Sequence, residues 1–296
     1  MPLPRRLLTP PSVARGLDPR NGAHLLLAAL TVLTSVSLFA RSQSWGDAIT
    51  SAVAVFLAWA IGRELDPDRM WTAHAAAATM GLLALVYEGA HVDLMGNTVA
   101  LLAARVVLAS TGRPFTIWDV PLVAGAAWLA SDSRAGLATT LVLIAGVGLH
   151  LVRTARTQDR PVESTAVGAA VAVAAAGSAG AAAVLGWPLA GVADSPRWIL
   201  LAGVTLGAAA VLVAVRELPR SACDSAHGRF SSPPPLSAWR LSGARITAVL
   251  VIVAAFTAVG PGAFSALTPT WVGACCAGTA VAAQIARCRP SVTTRR

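Results

Sequence analysis

Two arginines and three carboxylates fall within seven consecutive residues, Arg63-Glu64-Leu65-Asp66-Pro67-Asp68-Arg69. Asp66 and Asp68 together form a candidate metal pair, because a divalent cation takes hard carboxylate oxygens. The guanidiniums of Arg63 and Arg69 suit a phosphate or diphosphate, which a planar fork of N–H groups binds through two parallel hydrogen bonds. That chemistry is what a membrane enzyme acting on a lipid-linked phosphate would need, and a divalent cation belongs to that reading alone. The same residues also have a purely architectural reading. Asp66 would cap the helix that begins at Pro67, Asp68 would meet its positive end, and the arginines would mark one face of a membrane. The longer, more acidic motifs of known diphosphate-handling membrane enzymes are missing.

Arg105 is the one charge set well inside an apolar run, five residues before Ser110. That is about 7–8 Å of helix at 1.5 Å per residue. An ionisable residue at such a depth is a functional suspect by default, although an arginine stem can snorkel that far. Its expected partners are Asp119, at the start of the next run, or the carboxylates that follow the second run. Arg113 and Thr111 lie near the same face, so both groups can belong to one ligand-binding site. The candidate set is Arg63, Glu64, Asp66, Asp68, Arg69, Arg105, Arg113 and Asp119, with no catalytic residue assigned. A weaker group, Glu88, His91 and Asp93, could hold a metal or relay a proton, but a solvated acidic loop is the plainer reading. His74 and His150 each fall about a turn inside a run.

Several signatures are missing. The chain has no lysine and hence no Walker A loop, and it has no HExxH, GxSxG or GxGxxG. ATP-driven transport, metalloproteolysis and serine hydrolysis are therefore disfavoured, and no cofactor is evident. Cys223, Cys275, Cys276 and Cys288 show no metal-binding spacing and read as free thiols.

The elements that must position these side chains are membrane helices. Of 296 residues, 55% are hydrophobic and only 12% charged, with a mean hydropathy of +0.65; a soluble protein carries roughly 25% charged residues. A span needs roughly 20 mostly apolar residues. Ten segments approach this length: 23–40, 45–62, 69–87, 94–110, 116–131, 135–152, 164–186, 197–215, 245–263 and 268–286. The fifth, with Asp119 and Pro121, is the weakest, and eight or nine spans are variants of the same plan. The expected class is thus an all-α polytopic bundle with both termini in the cytoplasm. Its parts are a basic tail (1–22), eight spans (23–215), a basic Pro-containing loop (216–244), two more spans (245–286) and a second basic tail (287–296). The first run reads as an uncleaved anchor, since for cleavage after Ala40 the third residue back, where a signal peptidase needs a small side chain, is Leu38.

The charge of +9 is carried by 23 basic residues, all arginine. A nucleic-acid protein would cluster them on a polar surface with aromatics between, whereas here they fill the gaps between apolar runs. With ten spans and an inner N-terminus, 19 arginines fall inside, and only Arg41, Arg134 and Arg197 fall outside. This is the sorting the positive-inside rule demands. It implies a multi-pass protein of the cytoplasmic (inner) cell membrane, whose partners are the bilayer and anionic headgroups rather than nucleic acid. A second copy of the chain or another membrane protein would complete the list. The tryptophans fall at or near span ends, as interface anchors do. Asp66-Pro67, Ser195-Pro196 and Thr268-Pro269 each offer a capping oxygen before a first-turn proline. Gly260-Pro261-Gly262 reads as the end of a helix. The small residues of 168–186 and the Gly203-x-x-x-Gly207 spacing predict close helix packing.

The Arg63–Arg69 segment and the Arg105…Gly112-Arg113-Pro114…Asp119 segment, within about the first 130 residues, resemble uncharacterised multi-pass membrane proteins of high-GC actinobacteria. The resemblance implies no activity. The leading expectation is a transporter-like or structural role, with catalysis disfavoured. The alternatives are the lipid-phosphate enzyme and a non-catalytic subunit of an envelope complex that docks through the 216–244 loop.

Overall fold

The computed structural model of the chain describes residues 20–87, 92–108, 119–157, 236–260 and 262–288. Within them all regular structure is helical: α1 (Gly22–Ser42), α2 (Trp45–Leu65), α3 (Met70–Val86), α4 (Leu94–Leu108), α5 (Asp119–Ala130), α6 (Arg134–Thr157), α7 (Ala238–Val259), α8 (Gly262–Ala266) and α9 (Thr268–Cys288). The expected spans 164–186 and 197–215, most of the 216–244 loop, and most of both tails lie outside the described residues.

Short polar residues set the helix starts by taking up backbone N–H groups that have no partner within the helix. Asn21 accepts from the Ala23 N–H, Ser44 from Asp47, Asp93 from Gly96 and Ser133 from Gly136. Gln43 closes α1 in the left-handed region, with φ 53°. Only two residues then separate α1 from α2, so the two helices run antiparallel. Gly260 closes α7 with φ 69°, which fits the reading of Gly260-Pro261-Gly262 as a helix end. Two expected caps are not made. The side chain of Asp66 turns to Arg69 and Thr72, leaving α3 to start after Arg69 without a side-chain cap. The Thr268 hydroxyl donates backwards to the carbonyls of Phe264 and Ser265.

Three helices, α1, α2 and α7, are long and apolar enough to cross a membrane, while α3, α4 and parts of α5 and α6 are shorter apolar helices. Leu25, Leu26, Val32, Leu33 and Val36 of α1 point outward, as do Leu82, Leu122, Leu129, Leu141, Leu250 and Val253. So much exposed aliphatic surface is foreign to a protein bathed in water and compatible with a membrane protein.

At the centre lies α2, against α1, α3, α4 and α9. Gly62 permits this crowding: a methyl group there would stand 3.3 Å from the Ala73 Cα and the Ala76 Cβ of α3. From the other side, a methyl on Gly273 of α9 would come 3.1 Å from the Gly62 nitrogen. Close backbone approach through small residues is how helices gain dispersion contacts when burial from water supplies no drive. Ala54, Ala58, Ala76, Ala77 and Ala277 extend the same packing.

The helix ends sort into two layers. The N-terminus of α1, the C-termini of α2 and α4, and the N-termini of α3 and α7 meet at one end of the bundle, joined by contacts from His24, Glu64, His74, Arg105 and Arg245. At the other end Asp93 and Asn97 of α4 reach Ser133, Ala266 and Thr270. The first boundary of the ninth expected span moves. Helix α7 starts at Ala238 rather than 245, because Leu241, Ala244, Arg245 and Ala248 all fall on one buried stripe that extends the helix backwards. Trp59 also differs from expectation. It is only 2% exposed, packed inside the bundle, whereas Trp45, Trp71, Trp128 and Trp239 lie on the surface.

Candidate functional site

The C-terminus of α2 carries the densest buried charge. A helix end leaves its last four carbonyls without an intrahelical partner and gathers partial negative charge there. Two arginines from distant helices answer two consecutive residues. Arg105 of α4 donates from Nε to Glu64 Oε1 at 2.9 Å, and Arg245 of α7 donates from Nε to the Leu65 carbonyl at 3.0 Å. Glu64 and Arg245 are each 1% exposed, and the Arg105 side chain 10%. Charges this far from water are tolerable only when paired and hydrogen-bonded.

The next carboxylate is also occupied. Asp66 Oδ1 accepts from Arg69 Nη1 at 2.7 Å and Oδ2 accepts from the Thr72 hydroxyl at 2.7 Å. This ties the α2–α3 turn to the first turn of α3. Asp68 lies exposed on the same turn. A cation at the expected Asp66–Asp68 pair would have to displace Arg69 and Thr72. Among the described residues no group of three His, Cys, Asp or Glu side chains is arranged to hold a metal ion.

Arg63 faces the opposite flank of α2. Its guanidinium stands 5.3 Å above the Trp59 ring, and Nη1 donates to His24 Nε2 of α1 at 3.2 Å. Asp119, which opens α5, is fully buried. Arg113 lies outside the described residues, as do Glu88 and His91 of the weaker second group; for His150 only the backbone is described. The third member of that group, Asp93, caps α4 and accepts from the Ser133 hydroxyl. His74 turns away from the Asp68 turn and meets the carbonyls of Met70 and Ala23.

The fold thus joins the two sequence clusters through Glu64 and Arg105, and it adds Arg245, Thr72, Trp59 and His24, which sequence reasoning did not place there. Arg245 was legible in principle: it sits four residues after Leu241 and three before Ala248, on the apolar stripe of a helix. As chemistry, the arrangement offers a paired ionic layer in which guanidiniums from two other helices, Arg105 of α4 and Arg245 of α7, meet the terminus of α2. No known protein family, curated protein or solved structure matches the chain.

Proposed function

We propose that the chain is a multi-pass protein of the cytoplasmic membrane with a transporter-like or structural role. In this reading the charged layer clasps its helices together at the cytoplasmic face. The observation that carries this is the buried Glu64–Arg105 pair between α2 and α4. Its charges are spent on each other and on neighbouring helices, which is what a clasp or a closed inner gate requires. The arginine sorting in the sequence gives the direction, with α1 starting on the cytoplasmic side. Helix α7 starts at the end where α6 finishes, which suits an even number of crossings between them and the ten-span plan.

The lipid-phosphate enzyme stays the second reading, favoured by one observation: the consecutive residues Glu64 and Leu65 each accept from a guanidinium withdrawn from water, Arg105 and Arg245. A phosphate oxygen competing for those donors would be bound strongly in such a dry place.

Two experiments test these readings. Reporter fusions near Gly89 and Asp224 check the topology: periplasmic activity is expected at the first and cytosolic activity at the second, and the reverse pattern overturns the plan. Alanine at Arg105 separates the roles. A clasp predicts reduced accumulation of the protein in membranes. A phosphate-binding site predicts normal accumulation with loss of protection by added phospholipid against thermal unfolding.

A further inference from the structure

Three helices of the bundle carry polar or amphipathic residues at both ends of an apolar stretch. On α1 these are His24 and Arg41, on α2 Asp47 and Arg63, and on α3 Trp71 and Tyr87. Within each pair the residues stand 16 or 17 positions apart, about 24–26 Å of helix at 1.5 Å per residue. Between these ends the outward surface is apolar: Leu25, Leu26, Val32, Leu33 and Val36 of α1, Ile49 of α2, and Leu82 and Val86 of α3 are all exposed. Trp71 and Tyr87 are exposed too, and rings of that kind settle where hydrocarbon meets headgroups. The levels are locked to one another. At one end Arg63 Nη1 donates to His24 Nε2. At the other, Arg41 donates to the Leu85 carbonyl of α3, and Phe39 packs against Trp45 with ring centres 4.2 Å apart. An arginine at a helix end can stretch its stem outward and let the boundary shift. Here the Arg41 head is pinned to the end of α3 and the Arg63 head stands over Trp59, while the exposed Asp47 has too short a side chain to reach far.

We propose that the side of the protein formed by α1, α2 and α3 fits a thin bilayer, with a hydrocarbon core of about 24–26 Å rather than the roughly 30 Å of a typical one. Its lipid partners are then phospholipids with short acyl chains. This rests on the membrane-embedded reading above and adds the kind of lipid that surrounds it. Tilting the helices shortens their vertical reach further. In a thicker bilayer, either the acyl chains compress around this side or Arg41 and Asp47 are drawn into hydrocarbon, and both outcomes cost free energy.

Full-length protein reconstituted into phosphatidylcholine vesicles, with monounsaturated chains stepped from about 14 to about 22 carbons, tests the fit. Flotation with the vesicles checks insertion, and failure to float in every lipid overturns the membrane reading and the fit together. For inserted protein, the thermal unfolding midpoint should be highest at about 14 to 16 carbons and fall by several degrees toward the long end of the series. A flat series, or a maximum at about 18 carbons or more, overturns the match and leaves the membrane reading standing. The double change Arg41→Leu with Asp47→Leu lengthens the apolar stretch at one end. It should move the maximum toward longer chains, whatever the loss of the Arg41–Leu85 bond does to its height. A maximum that stays in place overturns the assignment of these two charges as the boundary.

Discussion

Arg245 and Leu65, 180 positions apart in the chain, are joined by a 3.0 Å hydrogen bond from a buried guanidinium to a helix-terminal carbonyl. The bond gives the end of α2 a cation where its dipole is negative, and it draws α7 against the middle of the bundle. Replacing Arg245 with methionine keeps much of the aliphatic bulk and removes the donor. Leaving a buried carbonyl unsatisfied costs about 1–3 kcal/mol. The expected result is a lower thermal unfolding midpoint in detergent, with lysine at the same position recovering only part of it. An unchanged midpoint in the methionine variant would show that the bond does not hold α7.

The neighbouring pair behaves differently because both partners are charged. Removing either Glu64 or Arg105 alone leaves an uncompensated buried charge, a loss of about 3–5 kcal/mol. Removing both at once, as in Glu64→Leu with Arg105→Leu, restores neutrality and should cost much less than the two single changes added together. A double-mutant cycle on thermal stability or on the yield of folded protein measures the difference. Additive losses would mean that the pair is not coupled.

Much of this layout could be read from the sequence, for a physical reason. Runs of apolar residues have to become helices in a medium that cannot hydrogen-bond their backbones. Accordingly α1, α2, α3, α4 and α9 begin within a residue or two of where the hydropathy places them. Arg105 and the Arg63–Arg69 segment stood out because charge in or beside an apolar run is costly. The pairing itself did not show. Whether Arg105 meets Glu64 or Asp119 depends on which helices lie side by side, and this is fixed by tertiary contacts such as Gly62 against α3 and α9. Arg245 was hidden because the basic stretch before it resembled loop, whereas Trp239, Arg240 and Arg245 are the first turns of α7. Asp66 looked like a cap because it precedes a proline. Arg69 and Thr72 compete for its two oxygens, and they win them.

The glycines of the α2 crossing give a sharp steric prediction. Valine at Gly273 would press into Ile61 Cγ2 and the Gly62 nitrogen, 3.0 and 3.1 Å from the new Cβ. One of these is backbone and cannot yield, so a loss of about 1–3 kcal/mol follows from overpacking. Gly125 of α5 provides the control, since a methyl there meets nothing within 4 Å. Alanine at Gly125 should be neutral or stabilising by up to about 1 kcal/mol, because it reduces backbone entropy in the unfolded chain. Thermal scans of the two variants side by side check the contrast, and equal effects would contradict the packing.

Asn97 governs the other end of the bundle. It is fully buried and has every partner it needs: Nδ2 donates to the carbonyls of Asp93 and Ala266, at 2.7 and 2.9 Å, and Oδ1 accepts from the N–H and hydroxyl of Thr270. One side chain thereby fixes the start of α4 to the α8–α9 corner. Aspartate is nearly the same shape but cannot donate when ionised, so it would set a carboxylate oxygen against two carbonyl oxygens. Asn97→Asp should therefore be more damaging than Asn97→Ala, which removes the amide and costs about 1–3 kcal/mol for the polar groups left behind. The order should reverse at low pH, where a protonated aspartate regains one donor. Measuring the yield of folded protein for both variants at neutral and acidic pH tests this, and alanine proving the worse of the two at neutral pH would show that size, not donation, is what the position requires.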